Sequence, residues 1–140
     1  MSDAYRVRLR TVGDGPTALG EAGPFTLVVD RPAAAGGGGL GFNGGQLLYM
    51  SIAACWSNDL YREAATMGVE LDGVEISVDG DFPARGSGST PVTVEVIVRS
   101  GAPEDQVRDL IAEVGRLAEI PRAIREGPPL EVHASVVASD

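Results

Sequence analysis

Apolar and polar positions alternate along residues 5–12, where Tyr5, Val7 and Leu9 are separated by Arg6, Arg8 and Arg10. A period of two marks a strand with one buried face. Gly13-Asp14-Gly15-Pro16 reads as a turn, Thr17-Ala18-Leu19 as a short second strand and residues 25–30 as a third. The short connections predict an antiparallel meander. Residues 33–41 are glycine-rich; no Gly-Lys-Ser/Thr follows them, so they read as a flexible linker rather than a phosphate cradle. The pattern then changes period. From Leu47 to Ala54 only Ser51 is polar, which predicts a helix buried on all faces. Its start is written locally: Asn43 is an N-cap, Gln46 stands three residues later as in a capping box, and Phe42 and Leu47 hold the staple positions. The helix is expected from residue 43 to about 67, closed by Gly68.

Beyond it, Val74, Ile76 and Val78 alternate with Glu75, Ser77 and Asp79. Val92, Val94, Val96 and Val98 alternate in the same way. Both runs predict strands, joined by a loop over residues 83–90. Pro103, with Glu104 and Asp105 behind it, opens a second helix carrying an apolar stripe of Val107, Leu110, Ile111, Val114, Leu117 and Ala118. Pro121 is expected to end that helix, with one further helical turn over residues 122–126. Leu130, Val132, Ala134 and Val136 predict a last strand. The order β-β-β-α-β-β-α-β indicates an α+β fold in a single domain over residues 1–140. One small sheet and one helix cannot cover a central helix that is apolar all round, so an intertwined homodimer is expected.

A length of 140 residues and 44% hydrophobic composition suit one core. The net charge of −9 argues against nucleic acid or an anionic membrane as partner. No run of about 18 apolar residues predicts a membrane span. The opening residues lack the apolar core of a secretory leader, and the single cysteine has no internal partner, so a reducing cytoplasm is the expected compartment. No cofactor is expected, and with one His and one Cys no metal-ligand spacing exists.

Val29-Asp30-Arg31-Pro32, the glycine-rich stretch, Asn43-Gly44-Gly45-Gln46-Leu47-Leu48, Ala53-Ala54-Cys55 and Gly73-Val74-Glu75-Ile76 together resemble the OsmC/Ohr family. The resemblance implies an interwoven α+β homodimer with two pockets at the subunit interface. It also implies thiol peroxidase activity on organic hydroperoxides, using a peroxidatic cysteine on the central helix, a resolving cysteine near the second helix and an arginine–glutamate pair. Cys55 matches the peroxidatic position. The other three have no match: Ala118 stands at the resolving position, Gly45 at the glutamate, and the turn over residues 13–17 holds no arginine.

Cys55 is the candidate catalytic residue, against its plainer role as a small buried hydrophobe. A thiol is nucleophilic as thiolate; Cys55 lies mid-helix with Asp59 one turn on, which opposes ionisation. Gln46, Tyr49, Trp56, Asp59 and Arg62 are the candidate pocket residues. Tyr49 and Trp56 serve equally as core aromatics, and Asp59, Arg62 and Glu63 equally as a solvated helix face. His133 is expected to face solvent from the last strand. Two functions follow from this reading. One is a divergent binding or accessory protein with a small-molecule pocket at the dimer interface. The other is a one-cysteine thiol peroxidase in oxidative stress defence, using Cys55 and an external small thiol or dithiol as reductant.

Overall fold

The computed structural model describes residues 5–139. The elements are β1 (Arg8–Thr11), β2 (Ala18–Ala22), β3 (Phe25–Val29), α1 (Gly44–Met67), β4 (Gly73–Asp79), β5 (Thr93–Arg99), α2 (Glu104–Leu117) and α3 (Glu119–Glu126), with a 3-10 turn at Ala33–Ala35. The fold is α+β, with a three-stranded sheet in the order β1-β2-β3 and a two-stranded sheet of β4 and β5. Two compact units divide the chain: one runs to Ala53 and takes in Ser77–Glu95, and the other comprises Ala54–Ile76 and the chain from Val96 onward.

In the first unit the meander is antiparallel throughout, with Leu9 opposite Gly20 and Gly20 opposite Leu27. One face therefore carries Leu9, Leu27 and Val29 around Ala18, Gly20 and Ala22. The other carries Arg8, Arg10 and Glu21. The glycine-rich stretch is not a free linker. Asp30, only 3% exposed, accepts hydrogen bonds from the Thr17 hydroxyl at 2.9 Å and from the backbone N–H groups of Arg31 at 2.7 Å, Gly38 at 3.2 Å and Leu40 at 3.2 Å. The amides that glycine frees for an anion are thus filled by a carboxylate of the same chain. Desolvation opposes the charged form of Asp30, but these four donors together hold its pKa below the ordinary value. Phe42 then lies along β3, donating to Val28 O at 3.1 Å and accepting from the Asp30 N–H at 3.0 Å.

The start of α1 is the capping box read from the sequence. The Gln46 N–H donates to Asn43 Oδ1 at 2.9 Å, and the Asn43 N–H donates to Gln46 Oε1 at 3.0 Å. Gly68 ends the helix at φ +70°. Along α1, Ile52, Leu60 and Ala64 are buried, while Leu48 is 38%, Met50 51% and Tyr61 48% exposed. These large apolar side chains of α1 are left open to solvent by a single chain.

In the second unit Leu60, Ala64, Val69, Leu110 and Val114 form the buried core. The inward residues of β4 and β5 pack on it, as their period-two pattern requires. Two expectations are corrected at the C-terminal end. The second helix ends at Leu117 on an extended Ala118, with φ −56° and ψ 119°, not at Pro121. Pro121 lies in the first turn of α3, where its missing N–H has no helical partner to lose. Residues 130–136 form no strand. A strand needs a partner edge, and among the described residues none pairs with this segment. Also among the described residues, no helix is long and apolar enough to cross a membrane.

Candidate functional site

Cys55, Asp59, Arg62 and Glu63 occupy successive turns of α1, so helical geometry alone brings them to neighbouring positions. The Cys55 thiol is half-buried and donates to Asp59 Oδ2 at 3.7 Å. The Asp59 carboxylate is buried, with a residue exposure of 6%. Its other oxygen lies 3.3 Å from Arg62 Nη1. Arg62 in turn donates through Nε to Glu63 at 2.9 Å. That hydrogen bond first, and the charge of Asp59 second, raise the Arg62 pKa above its ordinary value. The cation of this cluster is therefore matched by two carboxylates, and the thiol faces an acceptor.

Each of the five expected pocket residues has contacts within its own unit. Gln46 is engaged in the helix cap. Tyr49 stacks on Phe82 with ring centroids 5.7 Å apart and 18° between planes. The Ser89 hydroxyl donates to the Thr90 carbonyl, so the 2.7 Å contact between Tyr49 and Ser89 is a donation from the phenol. Gln46 and Tyr49 belong to the first unit; Trp56, Asp59 and Arg62 belong to the second. Trp56 packs against the core there, over Gly115, where an added Cβ would meet the indole at 3.4 Å. Ala118, at the resolving position, is buried and extended. His133 is exposed, as expected, but not on a strand; its Nε2 lies 3.6 Å from Glu131.

Sequence reasoning missed two features. Phe82 sits in an irregular loop with no periodicity to point to its partner. The second is an apolar trough of about 420 Å³ on the meander, lined by Val7, Leu9, Gly20, Ala22, Phe25, Leu27 and Leu47 among others. Its floor is low because β2 carries Gly20 and Ala22 there. That floor was readable as small residues in a strand, but not as a trough until the register placed Leu9 and Leu27 on either side of Gly20.

Residues 36–133 match the model of the family described as OsmC-like protein. No curated protein sequence matches the chain. Among solved structures it is similar to an OsmC-like protein from Mycoplasma pneumoniae, at TM-score 0.76 and 17% identity over 89% of each chain. An organic hydroperoxide resistance protein OsmC from Legionella pneumophila superposes at TM-score 0.66, with 19% identity over 88% of this chain and 90% of that one. A putative organic hydroperoxide resistance protein from Vibrio cholerae, with captopril bound in one of its active sites, superposes at TM-score 0.63, with 23% identity over 89% of this chain and 88% of that one. At these identities the likeness concerns the fold.

Proposed function

This chain belongs to the OsmC-like protein family, and from that premise we propose that it is a divergent, non-peroxidatic member, a cytoplasmic binding or accessory protein acting as a single domain. In this reading a second copy covers exposed apolar residues of α1 such as Leu48, Met50 and Tyr61. The homodimer encloses a small-molecule pocket, to which Gln46, Tyr49, Trp56, Asp59 and Arg62 are the candidate contributors. One observation carries the proposal: the polar partner of Cys55 is the buried carboxylate of Asp59. A nucleophilic thiol is served by a cation or a base free to take its proton. Here the carboxylate is already engaged by Arg62. With Ala118 at the resolving position, the two-cysteine cycle has no second thiol.

A second reading rests on the half-exposed position of Cys55 and on the relatives described as organic hydroperoxide resistance proteins. In it the Cys55 sulfur attacks the hydroperoxide, the O–O bond breaks, an alcohol leaves and a sulfenic acid remains. One external thiol displaces water to form a mixed disulfide, and a second thiol restores Cys55. Lacking a resolving cysteine, the sulfenic acid waits for that thiol or oxidises further.

Steady-state consumption of an organic hydroperoxide with added dithiol, for the wild type beside Cys55→Ser, separates the two. Loss of a positioned acid or base removes about 10²–10⁴-fold in rate, so the binding reading expects equal, background consumption by both proteins. Rapid consumption that depends on Cys55 overturns it.

A further inference from the structure

Asp30 and Asp59 are both buried, and their charges are held in opposite ways. Asp59 faces the Arg62 guanidinium. Asp30 has no cation within ion-pair distance among the described residues; its neighbour Arg31 turns Nε to the Ala35 carbonyl at 3.0 Å instead. Neutral donors alone hold the Asp30 charge, two on each oxygen. Oδ1 accepts from the N–H groups of Arg31 and Gly38, and Oδ2 from the Leu40 N–H and the Thr17 hydroxyl. Other amides of the loop serve its own carbonyls: Ala35 and Gly37 donate to Pro32 O at 2.9 and 3.1 Å, and Gly39 donates to Arg31 O at 3.1 Å. Gly36 and Gly39 take left-handed φ values of +88° and +66°. Such turns let backbone N–H groups converge on an anion. The loop is drawn close around the carboxylate: a Cβ on Gly38 would stand 2.8 Å from Asp30 Oδ2 and 3.2 Å from Thr17 Oγ1.

We propose that residues 31–40, together with Thr17, form a receptor for a carboxylate group, around which the connection from β3 into α1 folds, and that Asp30 is its built-in ligand. The ligand class is a small monocarboxylate, a planar anion whose two oxygens each accept two hydrogen bonds. An amide does not satisfy the same donors. Whichever way it is turned, its NH2 group faces at least one backbone N–H, and that donor is left without an acceptor. Chloride has no second oxygen to divide four donors into two pairs. Phosphate brings further oxygens into a space where one carbon added at Gly38 already collides. Asp30→Ala keeps the Cβ and removes the carboxylate, and formate is that carboxylate with a hydrogen in place of the chain. A receptor takes formate back, whereas a loop held only by the covalent link to Asp30 does not.

The test is thermal unfolding of full-length Asp30→Ala at neutral pH, in sodium formate and in sodium chloride of equal concentration. The midpoint is expected to climb with formate along a saturating curve, as binding to the folded state alone requires, and to stay level in chloride. Should the variant be unfolded in chloride, the same titration is read as recovered helical circular dichroism. Equal responses to the two salts, or none to either, overturn the receptor. The double variant Asp30→Ala/Gly38→Ala is expected to lose the formate response, because its added carbon stands against the anion; a response that is kept puts formate elsewhere and overturns the assignment. Asp30→Asn keeps the shape of the side chain and is expected to melt below the wild type at neutral pH. A midpoint equal to that of the wild type removes the preference for carboxylate over amide, and the proposal with it.

Discussion

Sγ of Cys55 lies 3.7 Å from Oδ2 of Asp59, and Oδ1 of the same carboxylate lies 3.3 Å from the Arg62 guanidinium. The negative charge next to the sulfur is thus fixed in place by its own ion pair. Two unit charges about 4 Å apart interact by about 4 kcal/mol at an effective dielectric near 20, and Arg62 offsets part of that. Asp59→Asn keeps the shape and removes the charge. Labelling of Cys55 by a thiol reagent at neutral pH is expected to become roughly tenfold faster in Asp59→Asn, since each 1.4 kcal/mol is a factor of ten. A slower rate would mean that Asp59 takes the proton of Cys55 as a base, which favours the peroxidase reading, and an unchanged rate would remove the Asp59 charge from the account of the thiol.

Asp30 ties the meander to the chain leading into α1. Although desolvation opposes its charge, the bonds from Thr17, Gly38, Leu40 and Arg31 lower its pKa from the ordinary 3.8. A carboxylate with a depressed folded-state pKa stabilises the fold above its unfolded value and loses that contribution as pH falls through the folded value. The expected difference in thermal midpoint between wild type and Asp30→Asn is therefore full at pH 6 and shrinks as the pH drops below about 3.8. A difference constant from pH 6 to pH 2 would remove Asp30 from the account of acid stability.

The same connection sets two glycines against backbone. A Cβ on Gly41 would collide with the Val28 carbonyl, and one on Gly37 with the Arg31 carbonyl. Backbone cannot turn aside as a flexible side chain does. Gly41→Ala is expected to cost about 1–3 kcal/mol or more, the range of an overpacked site. Gly88→Ala, with nothing within 4 Å of the added carbon, is the control and should lie within about 0.5 kcal/mol of wild type. Denaturant midpoints for the two variants decide the matter, and equal midpoints would contradict the tight approach.

These contacts also divide what the chain discloses locally from what it does not. The Asn43–Gln46 box, the Gly68 stop and the period-two runs of β4 and β5 depend on neighbours within a few residues, and each was legible. Pro121 was legible as a boundary but placed on the wrong side of it, because a proline in the first turn of a new helix and a proline after an old one leave the same local mark. The glycine-rich stretch looked free because its organiser, Asp30, acts on Gly38 and Leu40 through the fold rather than along the sequence. The expected strand at residues 130–136 depends on an edge that its own sequence cannot supply. Candidate pocket residues were legible only as positions on the helix. Their partners in the single chain, the cap for Gln46, Phe82 for Tyr49 and Gly115 for Trp56, are set by the fold and not by helix position.

Leu48 and Met50 of α1 are 38% and 51% exposed, with Tyr61 further along at 48%. Scattered apolar residues on a surface need no explanation, so whether these belong to an interface is decided by measurement. If a second copy covers them, folding and association are linked. The unfolding midpoint of the wild type then rises with protein concentration. An aspartate at position 48 would place an unpaired charge in the interface, which costs far more there than on an open surface. Leu48→Asp is therefore expected to lose the concentration dependence and to unfold at lower temperature than wild type at every concentration. The reverse pattern is equally clear. A wild-type midpoint that stays fixed over a hundredfold dilution, with Leu48→Asp unfolding beside it, would make these exposed residues ordinary surface and would remove the dimeric pocket from the proposed function.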